Sequence, residues 1–98
     1  MAAEVELVLA RYQEGVEWVR DLSRHPAAKR LTVTLYNKGG ASDSAMLQDS
    51  LPSARVHDLP NIGRESHTFL HHIVSRYDSL AEWTVFSQVR AYPALSHA

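Results

Sequence analysis

Residues 31–40, L-T-V-T-L-Y-N-K-G-G, contain the clearest strand of the chain and the point where it stops. Apolar and polar side chains alternate over residues 31–36, and β-branched and aromatic residues favour extended backbone. The run N-K-G-G at residues 37–40 then breaks the strand sharply. The patterns on either side indicate which kind of sheet this strand joins.

Upstream, a strand pattern and a helix pattern precede this stretch. Val5–Arg11 is a short run rich in Val and Leu, which predicts a buried strand. Over residues 14–22 apolar side chains recur at helical spacing, and the breaker His25-Pro26 follows them. A strand, a helix and a strand in succession are typical of a parallel sheet with a crossover helix.

Downstream, the alternation continues. The polar segment 41–60 has no clear helix pattern, and within it residues 54–59 favour a short edge strand. Apolar residues at 3.6 spacing predict the best helix from residue 62 or 63 to residue 77, and W-T-V-F-S at residues 83–87 predicts a last strand. The apolar stripe of that helix consists of Phe69, Leu70, Ile73, Val74 and Tyr77.

The order β-α-β-(β)-α-β predicts an α/β fold, with a small, mostly parallel sheet of three or four strands and two helices. Ninety-eight residues form a single domain, residues 1–98. A chain of this size buries only roughly 60–70% of its unfolded surface, so we expect one core. Trp18 and Trp83 lie on predicted elements, and we expect both in that core.

Composition excludes several classes of protein and site. Ten Lys plus Arg against eleven Asp plus Glu give a formal net charge of -1, so overall charge favours neither nucleic acid nor an anionic membrane. The absence of cysteine excludes disulfides, thiolate zinc sites and cysteine nucleophiles. The first residues lack a basic region, and their apolar run ends at Arg11. We therefore expect neither a signal peptide nor a membrane span, and assign the cytoplasm by default.

Three polar clusters follow predicted strands or open the second predicted helix. They are Arg11-Tyr12, Tyr36-Asn37-Lys38 and the loop P-N-I-G-R-E at residues 60–65. In parallel sheets, ligands bind beyond the carboxyl ends of the strands. We therefore expect the three clusters to converge on one cleft.

The third cluster has the features of an anion site. Asn61 is a favourable N-cap residue, and Gly63 lets backbone or ligand approach closely. The amides of the first helical turn are unpaired and lie at the positive end of the helix dipole. Arg64 adds a guanidinium that matches phosphate or carboxylate. Glu65 is placed to close a capping box or to pair with Arg64 or Arg11.

Each cluster also has a simpler interpretation. The third fits a well-capped helix whose arginine faces water, and N-K-G-G fits a β-turn in which glycine supplies positive φ. N-K-G-G lacks the flanking residues of a Walker phosphate loop, so it is not one. Its functional interpretation is a strand-end loop that presents Lys38 toward the same cleft. The predicted ligand-binding residues are Arg11, Tyr12, Asn37, Lys38, Asn61, Gly63, Arg64 and Glu65.

A metal site on the second predicted helix is a weaker alternative. His67 and His71 are four residues apart, so both rings lie on one helix face. Zinc requires a further ligand, and the glutamate of the H-E-x-x-H pattern is absent because Thr68 follows His67. The simpler interpretation is a partly exposed helix face, with His71 or His72 satisfied by neighbouring carbonyls.

Five motifs occur along the chain in a defined order. They are V-L-A-R-Y-Q-E at 8–14, Y-N-K-G at 36–39, L-P-N-I-G-R-E-S-H-T-F-L-H-H-I at 59–73, Y-D-S-L at 77–80 and T-V-F-S-Q at 84–88. Together they resemble the uncharacterised family catalogued as domain of unknown function 3431, over about residues 7–88. The resemblance implies a glycosyltransferase A-type nucleotide-sugar fold, because the first strand and the N-x-G-R-E block are similar to those of sugar-transferring families.

That resemblance also implies roles for the residues of the three clusters. Arg11 and Tyr12 would flank a nucleotide, and Asn61, Gly63 and Arg64 would meet a diphosphate or an acceptor. Lys38 would add positive charge to the same pocket. The implied ligand is a nucleotide-sugar, and the implied cofactor is a divalent metal bound with it.

The chain departs from the family pattern in two places. Gln13 stands where the family has Asn, and residues 89–98, V-R-A-Y-P-A-L-S-H-A, replace the family's long C-terminal half. The chain thus resembles the amino-terminal half of a larger Rossmann-like or glycosyltransferase A-type domain. We predict a glycosyltransferase-like domain that binds a nucleotide-sugar or other anionic ligand at the start of the second helix, with an incomplete catalytic set.

The alternative prediction is a non-catalytic interaction or oligomerisation module. An incomplete α/β sheet exposes a strand edge and an apolar face, and both favour a homo-oligomer.

Overall fold

Four strands and three helices alternate along residues 4–89, the part of the chain that this computed structural model describes. The strands are β1 (Val5–Arg11), β2 (Leu31–Asn37), β3 (Arg55–Asp58) and β4 (Trp83–Gln88), and the helices are α1 (Glu17–Arg24), α2 (Ser44–Ser50) and α3 (Arg64–Ser75). Short 3-10 turns cover Pro26–Ala28 and Ala41–Asp43. Residues 90–98 of the predicted divergent tail lie outside the described residues.

The four strands form one sheet in the order β3-β2-β1-β4, and every pair is parallel. Val5 of β1 aligns with Leu31 of β2 and with Trp83 of β4. β1 is central and buried over six of its seven residues, because helices cover both faces of the sheet at this strand. The predicted α/β fold with a parallel sheet is confirmed.

The helices differ from the prediction in number and in their ends. α1 begins at Glu17 and not at residue 14, and α3 covers Arg64–Ser75 within the predicted range. The prediction of two helices was wrong, because α2 forms within the polar segment 41–60. Leu47 is the one fully buried residue of α2, so this helix has no apolar stripe for a periodicity argument to detect. No helix among residues 4–89 is long and apolar enough to span a membrane.

One face of the sheet carries the apolar core. Leu7 and Leu9 of β1 and Val33 and Leu35 of β2 point to this face, where α1 and α2 cover them. The helices and loops contribute Val16, Val19, Leu47, Leu51, Ala54 and Val89. Trp18 packs against this cluster as predicted, and its indole N–H donates a 2.6 Å hydrogen bond to the carbonyl of Val89.

The opposite face is covered by α3 and is largely polar. Glu6, Thr34 and Tyr36 point to this face from β1 and β2, and all three are buried. The residues that α3 buries against the sheet are Thr68 and His72, both fully enclosed. His72 finds hydrogen-bond partners on the sheet, whereas the buried Thr68 hydroxyl has none among residues 4–89.

Most of the apolar stripe predicted for α3 faces away from the sheet. Leu70, Val74 and Tyr77 are exposed, and Phe69 contacts Phe86 of β4 at a ring-centroid distance of 4.9 Å. The expectation that Trp83 lies in the core was also wrong, because this side chain is 62% exposed at the edge of the sheet.

Candidate functional site

The chain reverses direction across the sheet at β1. From β1 it proceeds to β2 and β3 with α1 and α2 on one face, and α3 then returns across the other face to β4 on the far side of β1. The crossovers therefore diverge at the carboxyl ends of β1 and β4. In open parallel sheets, this divergence opens the crevice in which ligands bind.

A cleft of about 90 Å³ lies at that point. A single water occupies roughly 10–15 Å³ on this scale, so the cleft is large enough for a small charged group of a ligand. Its lining residues are Ala10, Arg11, Tyr12, Glu14, Lys38, Asn61, Arg64, Glu65 and Gln88. Six of the eight predicted site residues are thus brought together, while Asn37 and Gly63 lie outside the lining.

Lys38 is the most enclosed charge of the cleft. Its side chain is only 6% exposed, and its ammonium donates hydrogen bonds to the carbonyls of Ile62 at 2.8 Å and Arg64 at 2.6 Å. These bonds place a positive charge beside the first turn of α3. Within residues 4–89 no carboxylate forms an ion pair with it. An ammonium has three N–H donors, so one remains for a further acceptor.

Arg11 is buried, and its guanidinium is already bonded within the protein. Nε donates to the carbonyl of Glu14 at 2.8 Å, and one terminal nitrogen donates to Asn37 Oδ1 at 3.1 Å and to Asp43 Oδ2 at 2.9 Å. These bonds tie the end of β1 to the loop after β2 and to the turn before α2. Arg11 therefore lines the cleft and also fixes the relative positions of these three segments.

Asn37 is fully enclosed, and its side-chain amide uses both of its groups within the protein. Oδ1 accepts from Arg11 and from the Gly39 N–H at 3.0 Å, and Nδ2 donates to the Gly40 carbonyl at 2.8 Å and to Asp58 Oδ1 at 3.1 Å. Asn37 therefore shapes the loop that carries Lys38.

Glycine is required at position 39 by a close approach between two strand ends. A Cβ there would lie 1.8 Å from the carbonyl oxygen of Tyr12, a distance that no side chain tolerates. The adjacent Lys38 N–H donates to the Arg11 carbonyl at 2.7 Å. The N-K-G-G run is thus more than a turn, because it brings the ends of β1 and β2 into direct contact.

The start of α3 differs from the predicted cap. Gly63, with φ of 71°, occupies the N-cap position and no side chain caps the helix, so the assignment of Asn61 as the cap was wrong. A Cβ on Gly63 would lie 2.5 Å from His67 Cβ, so glycine is also required here. Asn61, two residues before Gly63, is exposed and lines the cleft.

Arg64 combines a strained backbone with an unengaged side chain. Its φ of 51° lies in the left-handed region, which costs a non-glycine residue about 1–3 kcal/mol. The guanidinium is exposed and has no hydrogen-bond or ion-pair partner among residues 4–89. The helix's own hydrogen bonds begin with the His67 N–H donating to the Gly63 carbonyl, so the amides of the first turn precede them.

Two carboxylates and a tyrosine complete the cleft. Glu65 Oε1 accepts a hydrogen bond from Gln88 Nε2, and does not pair with Arg64 or Arg11. Glu14 Oε1 accepts from the backbone N–H of Tyr12 at 2.9 Å, and the Tyr12 ring is 46% exposed. Glu14 and Gln88 were not among the predicted site residues, although Gln88 ends a strand adjacent to β1, where a parallel sheet places site residues.

A buried hydrogen-bond network lies beneath α3. His72 Nδ1 is 2.8 Å from the Tyr36 hydroxyl, and its Nε2 is 3.2 Å from Glu6 Oε1. Glu6 Oε2 accepts from the Thr34 hydroxyl. Burial, together with the nearby Glu6 carboxylate, raises the pKa of Tyr36, which keeps the hydroxyl protonated. Since the Glu6 carboxylate only accepts, Nε2–H donates to it, and in the neutral ring Nδ1 accepts from the Tyr36 hydroxyl.

His72 was expected to be satisfied by neighbouring carbonyls, and that expectation was wrong, because its partners are these two side chains. Tyr36 also contacts the rings of His57 and His71, at centroid distances of 5.6 and 5.5 Å. Partial burial of the His57 ring and the charges of Arg76 and Arg55, with smaller contributions from His71 and His72, lower the pKa of this otherwise exposed residue.

The two histidines of the weaker metal hypothesis lie on α3, away from the cleft lining. His67 Nδ1 is buried without a hydrogen-bond partner, and His71 Nε2 is 3.3 Å from the Ser75 hydroxyl. Among residues 4–89 no group of three or more His, Cys, Asp or Glu is placed to hold a metal ion.

The sequence model of a family described as "Protein of unknown function (DUF3431)" matches residues 7–95. The chain belongs to this family. The matched range contains every residue that lines the cleft, so the cleft lies within the DUF3431 domain. Neither a curated protein nor a solved structure matches the chain.

Proposed function

We propose that this DUF3431 domain binds an anionic ligand in the cleft at the carboxyl ends of β1 and β4. The ligand class is a nucleoside diphosphate or nucleotide-sugar, as in a glycosyltransferase-like domain. Its phosphate groups would meet Lys38, Arg64 and the amides that open α3. The contribution of the protein is electrostatic, because preorganised donors stabilise a charged ligand without forming a covalent bond.

The observation that carries this proposal is the environment of Lys38. A buried charge is ordinarily paired with an opposite charge, since removing an ammonium from water is costly. Lys38 is nearly enclosed, yet its partners within residues 4–89 are two neutral carbonyls. An anion in the cleft would supply the missing negative charge.

Arg64 supports the same ligand class. Its left-handed backbone begins α3, and its guanidinium has no partner in the described chain. Backbone strain in a surface residue persists where the position serves a purpose, and it is concentrated at ligand sites. A free guanidinium beside a buried ammonium matches the several oxygens of a diphosphate.

The remaining lining groups suit the uncharged part of such a ligand. The exposed ring of Tyr12 is available to stack on a base or a sugar. The carboxylates of Glu14 and Glu65 are available as acceptors for ligand hydroxyls. The resemblance also implies a divalent metal, and within residues 4–89 no group of three His, Cys, Asp or Glu is placed to hold one.

The proposal is tested by titrating the isotopically labelled chain with pyrophosphate, UDP and GDP, with and without manganese, while following backbone amide shifts. We expect saturable shifts at Lys38 and at residues 61–66, weakening as salt increases. Arg64→Ala should weaken binding about tenfold, the loss of one charge-assisted contact. Arg55→Ala, at the far edge of the sheet, is the matched control and should bind as the parent does.

Comparing the three ligands distinguishes recognition of a nucleotide from binding of any anion. Nucleoside diphosphates that bind more tightly than pyrophosphate support recognition of the nucleotide, with added shifts at Tyr12. Equal affinity for pyrophosphate would leave an anion site without nucleotide specificity. Amide signals that do not move with any of the three ligands would overturn the proposal.

A further inference from the structure

The two edges of the sheet differ in their protection against another strand. β3 is four residues long and carries exposed Arg55, His57 and Asp58, and short, charged edges discourage pairing. β4 has six residues, W-T-V-F-S-Q, without a charge or a proline. Trp83 and Val85 on β4 are 62% and 48% exposed. Within residues 4–89 no strand pairs with the outer edge of β4, so this edge presents unpaired backbone donors and acceptors beside apolar side chains.

We propose that this edge pairs with β4 of a second copy of the chain, antiparallel about a two-fold axis, to form a continuous eight-stranded sheet. This pairing is separate from anion binding and depends on residues 83–87 of β4, none of which lines the cleft. The protein would then be a homodimer whose interface is built on β4.

Charge is the first reason for a second copy as the partner. Because β4 has no charged residue, two copies meet without placing like charges opposite each other, which would destabilise a strand pair. Symmetry is the second reason, since an edge that pairs with itself forms an isologous contact. The outer edges of the resulting sheet are then both β3, whose charges stop further addition. The assembly closes at two copies.

The alternation of side chains constrains the register. Directly opposite residues of two paired strands point to the same face of the sheet. A two-fold axis perpendicular to the sheet therefore keeps each face continuous only if one residue lies opposite its own copy at the axis. Val85 and Phe86 lie at the centre of β4, and Val85 is the more exposed. Placing Val85 on the axis therefore buries more apolar surface. In this register Trp83 lies opposite the partner's Ser87 and Thr84 opposite the partner's Phe86.

On the face of the sheet that α3 covers, side chains of α3 would add to the interface between the two copies. Phe69 lies on the side of α3 toward β4, where it contacts Phe86, and Ile73 follows one turn later on the same side. Both are half-buried in the single chain. Pairing through β4 would bring the same side of the second α3 toward them and cover them further.

Sedimentation velocity from low micromolar to sub-millimolar concentration tests the dimer. We expect a reversible dimer for the parent chain and an increase of about tenfold or more in its dissociation constant for Val85→Lys, because two lysines would face each other across the axis. Val74→Lys is the matched control, a valine on the outward side of α3 that is 75% exposed. It should dimerise as the parent does.

The absence of cysteine from the chain allows a second test that does not depend on weakening the dimer. Val85→Cys should form a disulfide-linked dimer on mild oxidation, because directly opposed residues of antiparallel strands have the required separation. Val74→Cys should remain monomeric under the same denaturing analysis. A monomeric parent chain, a dimer unaffected by Val85→Lys, or cross-linking at position 74 and not at 85 would each overturn the proposal. None of these results depends on the anion site.

Discussion

On one face of the sheet, Leu9 and Leu35 pack against α1 and α2. On the other, Glu6 and Tyr36 bond to His72 of α3. Both faces are buried, and both hold helices in place. The first depends on removing apolar surface from water, which is roughly proportional to area and has no preferred direction. The second depends on hydrogen atoms lying on particular nitrogen and oxygen atoms.

The shape of the cleft depends on the polar face of the sheet. Lys38 directly follows the end of β2, and its ammonium bonds to carbonyls at the start of α3. The cleft geometry therefore depends on how α3 is held against the sheet. That attachment lies on the polar face, so the position of α3 should respond to pH more than the positions of α1 and α2.

The largest expected effect comes from removing the central residue of the polar face. His72→Ala leaves the Glu6 carboxylate and the Tyr36 hydroxyl enclosed without their main partner, and each buried group left unsatisfied costs about 1–3 kcal/mol, more for a charged one. The measurement is the free energy of unfolding in urea at neutral pH. In the control, Glu6→Leu combined with His72→Leu removes both partners and should recover much of that loss. A loss below about 1 kcal/mol for His72→Ala would mean that the network contributes only packing.

The matching change on the apolar face is Leu9→Ala. Loss of a fully enclosed leucine should lower the free energy of unfolding by about 2–5 kcal/mol, through lost burial and the cavity left behind. No titratable group contacts this change directly, so the loss should be equal at pH 6 and pH 8. Denaturation curves at the two pH values provide the check, and a clear difference between them would contradict the separation of the two faces.

A smaller effect is expected for Tyr36→Phe, which deletes the hydrogen bond to His72 Nδ1. At neutral pH the loss should be about 0.5–1.5 kcal/mol. Because the pKa of Tyr36 is raised in the folded chain, its proton favours folding below the ordinary tyrosine pKa, and this contribution is lost as pH rises above about 10. The parent chain should therefore lose more stability than Tyr36→Phe between pH 9 and pH 11. Parallel pH profiles for the two chains would count against a proton held on Tyr36.

The smallest effect is expected at His57, which is exposed beside the same network. Its pKa is lowered, so the unfolded chain takes up a proton at a higher pH than the folded chain does. The stabilising contribution of neutral His57 is present above pH about 6.5 and is lost as pH falls below that value. His57→Gln should match the parent at pH 8 and lose less stability between pH 6.5 and pH 5. Thermal unfolding across that range measures the difference, and a larger acid sensitivity in the variant would reverse the sign.

Much of the fold was accessible from local patterns, and so was the place of the cleft. The alternation at residues 31–36 and the apolar run Val5–Arg11 predicted neighbouring parallel strands, which align from Val5 with Leu31 to Arg11 with Asn37. The convergence of Arg11, Lys38 and Arg64 followed from the rule that parallel strands end at one edge. These inferences succeeded because they need only spacing within one element and the order of elements.

Other features could not be predicted because they arise from contacts between distant residues. α2 has one buried residue and therefore no periodic pattern. An apolar helix stripe ordinarily faces the core, whereas in α3 the buried position belongs to His72, through partners 36 and 66 residues away. A histidine within an apolar pattern does not indicate locally that the Tyr36 hydroxyl and the Glu6 carboxylate lie buried on the sheet as its hydrogen-bond partners.

The same distinction applies to the groups of the cleft. Spacing and residue type were sufficient to determine a parallel α/β sheet and the edge at which charged residues meet, because both are properties of single elements and of their order. The tertiary structure alone decided which charges are already used. Arg11 is engaged by Asn37 and Asp43, 26 and 32 residues away, whereas one Lys38 donor and the Arg64 guanidinium have no partner among residues 4–89. Whether a buried charge is paired depends on every chain segment that reaches it, and no local pattern contains that information.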